Sequence, residues 1–451
     1  MNRWEENRQF VMEFVRLAIP MAFQRLVVFI IQLIDNLMIG SLGEMCISGV
    51  AVSGTFNWLC TTFSQGMADG AVILAAQEYG RDNKPQIRKL LSFVLTVNLG
   101  IGLFFFALIS LFPRQILSIY TDVPCIIEEG LKYINIVKFS IPLGGLSFAV
   151  VTILHSTRNV KLGMVSSITS CFANMFFNWV FIFGNLGAPV MGVEGAALGT
   201  LLAKIVEFII VFGYLLFMET NLNFRISDYM PKLEKDYLYT LMKVTIPIMV
   251  IDVLSNLVTS AQTIIVGHIS ENYITSNSIV HTTWTLPSVF CMGLGVAAGI
   301  MMGNRIGAKD MDTVKNHARK FVVTSFGMGI INCGIMNILL PIIAGFYEIS
   351  QATLDLTYKM GRVASLTVVF VCMNFVVCNG VIKAGGDTGN LLKVDLIFNW
   401  LVAIPLGYLA AFHLGCPPEY LYFILRLGIV LKVIWGVWQI YTDRWLKNIV
   451  N

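Results

Sequence analysis

The chain has 451 residues, 56% of them hydrophobic and only 13% charged, with a mean hydropathy of +0.74. A soluble globular protein would carry about a quarter charged residues, so that class is excluded. The net charge of +4 is too small, and too well explained by the loops described below, to point to nucleic acid.

In chain order, the amino-terminal MNRWEENRQFVMEFVR is charged and amphipathic and leads into a full-length apolar stretch, with no cleavage site of small residues. It reads as the retained start of the first membrane helix rather than as a cleaved signal peptide. Twelve stretches follow that are long enough to cross a hydrocarbon core about 30 Å thick. They cover approximately 17–39, 47–76, 91–112, 130–154, 163–184, 193–217, 244–267, 274–302, 320–341, 355–382, 390–412 and 418–441. Arg and Lys crowd one set of connections, among them Arg81, Lys84, Arg88, Lys89, Arg305, Lys309 and Lys315, whereas the opposite set carries Arg114. The positive-inside rule then places both termini in the cytoplasm of a cell-membrane protein. Nine cysteines are scattered without CxxC pairs, which argues against a disulfide framework and a zinc site.

The sequence repeats itself. Shifted by 227 positions, LAIP (17–20) meets VTIP (244–247), Gly66 meets Gly293, and QEYG (77–80) meets NRIG (304–307). Six spans per copy is an even number, so both copies enter the membrane in the same direction. The expected architecture is an all-α integral membrane protein: twelve transmembrane helices in two parallel six-helix repeats around a V-shaped central cleft. Residues 1–217 form an amino-terminal lobe, 218–243 a cytoplasmic linker and 244–451 a carboxy-terminal lobe.

The first span carries RLVVFIIQLIDNLMIG (25–40), in which Gln24, Arg25, Gln32, Asp35 and Asn36 share an arc of about 120°. A charge among lipid tails costs roughly 2.5–3.5 kcal/mol on insertion scales, so such residues face a bundle interior or a hydrated cavity. Asp35 is therefore the leading candidate for a functional carboxylate; the alternative is a helix-end carboxylate wetted from outside. Span seven repeats the design with Asp252, Ser255, Asn256 and Thr259. Because the 227-residue shift brings Arg25 onto Asp252, the two lie at equal depth in the two copies. An opposite-charge pair between them, or a cluster with Asp69, is expected to hold one state of the cleft; a purely structural pair is the alternative. His281 reads as an interior, hydrogen-bonded histidine more than as a proton relay, and Asp387 and Asp395 as members of a cytoplasmic turn and the helix start after it.

Several motifs in order carry a family resemblance: IP (19–20), QLIDNLMIGSLG (32–43), GMADGAVILAAQEYG (66–80), NMFFNWVFIFG (174–184), GVEGAALGT (192–200), GLGVAAGIMMGNRIGAKD (293–310), KAGGDTGNLLKVDL (383–396) and IPLGYL (404–409). Over nearly the whole chain the sequence resembles the multidrug and toxic compound extrusion (MATE) transporters of prokaryotic type. The resemblance implies an alternating-access antiporter that exports amphipathic, often cationic, organic compounds against inward H⁺ or Na⁺. It also implies that Asp35, in the family's usual position, binds the coupling ion, with Na⁺ as one such ion. Asn36, Asn174 and Asn178 are its expected neighbours; Asn178 stands where many relatives carry an acid, so the usual network is altered. Gln24, Arg25, Gln32, Asp69, Asp252, Asn256 and His281 are the candidates for the cleft and its gating. The expected partners are a small organic molecule and membrane lipid, the expected state is a monomer, and no cofactor beyond the coupling ion is implied. A lipid-linked saccharide flippase of the same fold superfamily is the nearest alternative, and a membrane-embedded enzyme a weaker one. No GxxxxGK[ST] loop occurs, so direct drive by ATP is unsupported.

Overall fold

The computed structural model describes residues 3–229, 232–267, 269, 271–347 and 349–447. Residues 230 and 231 of the expected linker, and the chain's extreme ends, lie outside the described residues. Among the described residues there is no strand. The chain divides into two compact units, Phe23–Leu241 and Met1–Ala22 with Met242–Asn451.

The first unit takes the latter part of α1 (Arg3–Gly40), then α2 (Glu44–Gly80), α3 (Lys84–Leu111), the short α4 (Pro113–Ser118), α5 (Pro124–Val137), α6 (Ser140–Ser156), α7 (Lys161–Phe183) and α8 (Val193–Phe217). Prolines in the first turn start α3, α4 and α5, where the missing N–H removes nothing. Gly184, at φ 72°, closes α7 in the left-handed conformation that glycine adopts without strain. The expected fourth span is a pair, α5 and α6, bent by 51°.

Residues 218–229 of the linker belong to this unit as well. Asp228 accepts from the backbone N–H of Arg225 at 3.0 Å and from the Arg88 guanidinium on α3 at 3.1 Å. These contacts, the backbone one first, hold the Asp228 carboxyl below the ordinary carboxylate range. A depressed folded pKa means that the clamp is complete above the unfolded value, about 3.9, and is lost as pH falls through the lower folded value. Proteolytic nicking of the linker should accordingly stay slow from pH 8 down to about 5. Asp228→Asn should speed it across that whole range; equal nicking of variant and wild type would show that the clamp contributes nothing.

The second unit contains α9 (Lys235–Gly267, from Met242 onward), α10 (Glu271–Gly307), α11 (Met311–Ala344), α12 (Gln351–Met373), α13 (Thr388–Asp395), α14 (Ile404–Phe412) and α15 (Pro418–Tyr441). Two stretches here are π-helical, Asn374–Ile382 after α12 and Leu396–Ala403 between α13 and α14. Side-chain caps start two of the helices: Asp310 accepts from the Thr313 N–H, and Ser350 from that of Thr353, each at 3.3 Å.

Residues 1–22 group with this second unit rather than with the rest of the amino-terminal copy, and the reason is visible in the side chains. Phe10 and Phe14 are buried and meet Phe321 of α11 edge-on at 4.9 and 5.1 Å. Glu6 pairs with Lys320 at 2.9 Å and Glu13 with Arg305 at 3.2 Å. The amphipathic start of the chain thus has its apolar face covered and its acids matched. At the other end of the chain, fully buried Trp445 packs on Gly385, and the Lys447 N–H donates to the Gly385 carbonyl at 3.1 Å.

Among the described residues, ten helices are long and apolar enough to span a membrane, and eleven if the α5–α6 pair counts as one span. Of the expected twelve spans, the one outside that count is the second, α2. α2 is 37 residues long but carries Ser53, Asn57, Thr61, Thr62, Ser64, Gln65 and Asp69 and does not reach that apolarity. Its polar groups turn inward: Ser53, Thr62 and Ser64 are buried, and the Ser53 hydroxyl donates to the Gly130 carbonyl of α5 at 3.0 Å.

Candidate functional site

Within the first unit, α1 and α7 bring three of the sequence candidates together. Asp35 is half-buried on α1, while Asn174 and Asn178, one turn apart on α7, are 2% and 0% exposed. The Asn178 amide nitrogen donates to Oδ1 of Asp35 at 2.5 Å and to Oδ1 of Asn174 at 3.3 Å. This bond is as short as those made by charged acceptors. Close packing makes it possible: a methyl group on Gly199 of α8 would overlap Oδ1 of Asn178, so glycine there seats the amide deep between α7 and α8. Oδ1 of Asn178 is itself buried and has no hydrogen-bond partner. Among the described residues no cationic side chain pairs with Asp35, and its charge is answered by neutral amides.

Chemically, this set can hold a small cation. The carboxylate and Oδ1 of Asn174 are hard oxygen donors of the kind Na⁺ takes, and turning the Asn178 amide over would bring its oxygen to face them in place of its N–H. A proton on Asp35 would instead turn an acceptor into a donor and reverse the Asn178 hydrogen bond. No cluster of three His, Cys, Asp or Glu residues that suits a metal occurs among the described residues, so a cation here relies on amide oxygens.

The remaining candidates do not join this group. Asn36 and Gln32 on α1 are exposed. Gln24 and Arg25 are half-buried; a methyl group on Gly163 would overlap the Gln24 Oε1 and approach Nε2 of buried His155, so these two polar tips converge beside α7. Asp69 is half-buried on α2. Asp252, Asn256 and His281 belong to the second unit; Asp252 and Asn256 are half-buried, and the Asn256 amide donates to the Asp252 backbone carbonyl at 2.7 Å. His281 is exposed, with its ring 5.8 Å from that of Trp284, so the expectation of an interior, hydrogen-bonded histidine is corrected.

Asp395 is likewise corrected. It ends α13 rather than sitting in a turn, is 1% exposed, and pairs with Lys432 of α15 at 2.7 Å. The Asn399 amide donates to the same carboxylate oxygen at 3.1 Å. Eight residues of helix separate Asp395 from the Asp387 turn, which carries it about 12 Å into the bundle. Asp387 does lie at the turn, as the amino-terminal cap residue of α13, and pairs with Lys447. Sequence reasoning passed over Lys432, Arg426 and His155. The signal for the first two was available, since an ionisable residue in the middle of a span is by default a site or half of a pair.

Comparison with known proteins agrees with this architecture. The MatE family model matches residues 20–180 and 247–409, one stretch in each repeat. The probable multidrug resistance protein YoeA of Bacillus subtilis (strain 168) is 22% identical over 430 residues, covering 93% of this chain and 92% of its own. The multidrug resistance protein MdtK of Edwardsiella ictaluri (strain 93-146) is 23% identical, covering 90% and 88%. Among solved structures, the Vibrio cholerae MATE transporter VcmN in its bent form superposes with a TM-score of 0.86 at 15% identity, covering 98% of this chain and 100% of that one. The eukaryotic MATE transporter AtDTX14 gives 0.85 at 17% identity, covering 98% of both chains. These matches, with the repeat and the row of membrane helices, establish that the chain is a multi-pass membrane protein belonging to the MatE family of transporters.

Proposed function

We propose that this transporter is an antiporter that exports amphipathic organic compounds, often cationic ones, in exchange for inward H⁺ or Na⁺. Both termini lie in the cytoplasm of the cell that carries it, and the monomer is the working unit. The observation that carries the reading is the Asp35–Asn178–Asn174 group: a carboxylate inside a span, held by neutral amides and paired with no cation among the described residues. Such a group takes up a proton or a sodium ion as its own counter-charge, which an ion-paired carboxylate does not. The ion is substrate here, not a resident cofactor.

Ion binding at Asp35 moves the protein between outward-open and inward-open forms only insofar as it binds one form better. Gln24, Arg25, Gln32 and Asp69 in the first unit, with Asp252, Asn256 and His281 in the second, are the polar groups proposed to meet the substrate or to gate its passage. The test is export of a fluorescent organic cation from vesicles holding the purified protein, with a pH gradient and a sodium gradient imposed in separate runs. One of the two gradients should drive export against the concentration of the dye. If neither does, the antiport reading is wrong.

A further inference from the structure

We propose that the second unit carries an acceptor site for the carboxylate of an aromatic or amphipathic compound, formed by the Arg426 guanidinium and the Trp284 indole N–H; the proposal extends the export reading to the substrate's chemical class.

Arg426 lies eight residues into α15 from Pro418, about 12 Å along the helix and well inside the span. Its guanidinium carbon is 4.8 Å from the ring centroid of Trp284 on α10 and 4.8 Å from that of Tyr422, one turn earlier on α15. Two rings thus flank the guanidinium, and the Tyr422 hydroxyl lies within its reach. They do not neutralise it: a cation–π contact offsets only part of what an unpaired charge in a span costs. Among the described residues no carboxylate lies within ion-pair distance of Arg426. The contrast on the same helix is Lys432, six residues further on, whose charge is matched by Asp395 at 2.7 Å.

The Trp284 indole nitrogen is buried and has no hydrogen-bond acceptor, although such a group normally finds one. Two donor groups, one of them charged, therefore belong to the same ring contact, and no carboxylate among the described residues answers either. The guanidinium is reachable, since Arg426 is half-buried and His281, one turn before Trp284, is exposed; the buried indole N–H meets a bound carboxylate only once the ring turns toward it. It is also held rigidly from a third helix: the Gln262 amide of α9 donates to the Leu425 carbonyl beside Arg426 at 2.6 Å.

A cationic compound gains nothing from this arrangement and is repelled by it. A carboxylate accepts two parallel hydrogen bonds from a guanidinium fork, and an attached aromatic ring extends the stack on Trp284. Phosphate and sulfate esters satisfy the charge but lack the planar match, so carboxylates are the class the geometry selects. Glu419, two turns toward Pro418, is the acid on α15 nearest in sequence and forms no ion pair with Arg426 among the described residues, which leaves the fork open to a ligand.

The experiment is equilibrium calorimetry on the purified full chain in detergent with three probes: 2-naphthoate, its methyl ester, and the organic cation ethidium. The wild type should bind the acid about tenfold or more tightly than the ester, the size expected for a charged hydrogen bond. Arg426→Gln should erase that preference, and Trp284→Phe, which keeps the ring and removes the N–H, should reduce it several-fold. Ethidium binding should be unchanged in both variants. Equal affinity for acid and ester in the wild type, no binding of 2-naphthoate at millimolar concentration, or a preference surviving in Arg426→Gln would each overturn the proposal. If Arg426→Gln does not yield folded protein, Arg426→Lys and Trp284→Phe decide the matter, and an undiminished preference in both overturns it. No gradient enters this measurement. Failed export of the dye together with an intact acid preference would sink the antiport reading and leave the carboxylate site standing.

Discussion

Asp35→Asn should abolish gradient-driven export while leaving a folded protein that lets substrate equilibrate. The substitution keeps the shape and one hydrogen-bonding oxygen, so Asn178 retains a partner and the helix packing around Gly199 is undisturbed. What disappears is the charge that a proton or sodium ion would answer. For a neutral compound exchanged against one cation, a potential of 100 mV supplies about 2.3 kcal/mol, which supports a concentration ratio of roughly fifty. In vesicles the wild type should approach that ratio, and Asp35→Asn should fall to one. A variant that still concentrates substrate to the wild-type ratio would remove Asp35 from the coupling step. A companion change, Asn178→Ala, leaves the carboxylate without its amide donor; coupling should weaken but persist if the carboxylate is the ion's primary ligand.

The largest expected stability effect lies in the second unit. Removing Lys432 strands the Asp395 carboxylate among buried groups with only the Asn399 amide for company, and breaking a buried pair from one side typically costs about 3–5 kcal/mol. Lys432→Met should therefore lower the thermal unfolding midpoint sharply, and Asp395→Asn should do the same from the other side. The double variant removes both charges and keeps similar volumes, so it should recover most of the loss. The measurement is thermal unfolding of the detergent-solubilised protein across the full double-mutant cycle. Additive losses in the double variant would mean that the two side chains do not depend on each other despite their 2.7 Å contact.

The sequence made the helical membrane class and the repeat legible because both are written as patterns: apolar runs of fixed length and a 227-residue register. Asp35 stood out because a charge in an apolar span is conspicuous, and Asn174 and Asn178 through the family resemblance, although their meeting across α1 and α7 required the fold. Asp395 was misplaced because its nearest sequence landmark, the Gly386–Asp387–Thr388 turn, suggested a loop, whereas two turns of helix carry it inward. Its partner is 37 residues away on α15, a separation no local pattern encodes. His155 was missed because it sits at the end of α6 beside a charged connection and looks like a surface residue, yet it is buried against Gln24 and Gly163. The grouping of residues 1–22 with the carboxy-terminal copy was equally hidden. It depends on Phe10 and Phe14 finding Phe321, more than 300 residues downstream.

The polarity of α2 has a consequence for how the chain enters the bilayer during synthesis. A segment with eight polar side chains from Ser53 to Asp69 gains too little from lipid to partition sideways out of the translocon by itself. It must be retained there until the helices it packs against, α3, α5 and α6, emerge, with α5 supplying the carbonyl that accepts from Ser53. Crosslinks from α2 to the translocon should persist in nascent chains halted soon after α2 has left the ribosome and vanish in those halted well beyond Ser156, so that biogenesis of the amino-terminal half proceeds by a cohort of helices rather than one at a time.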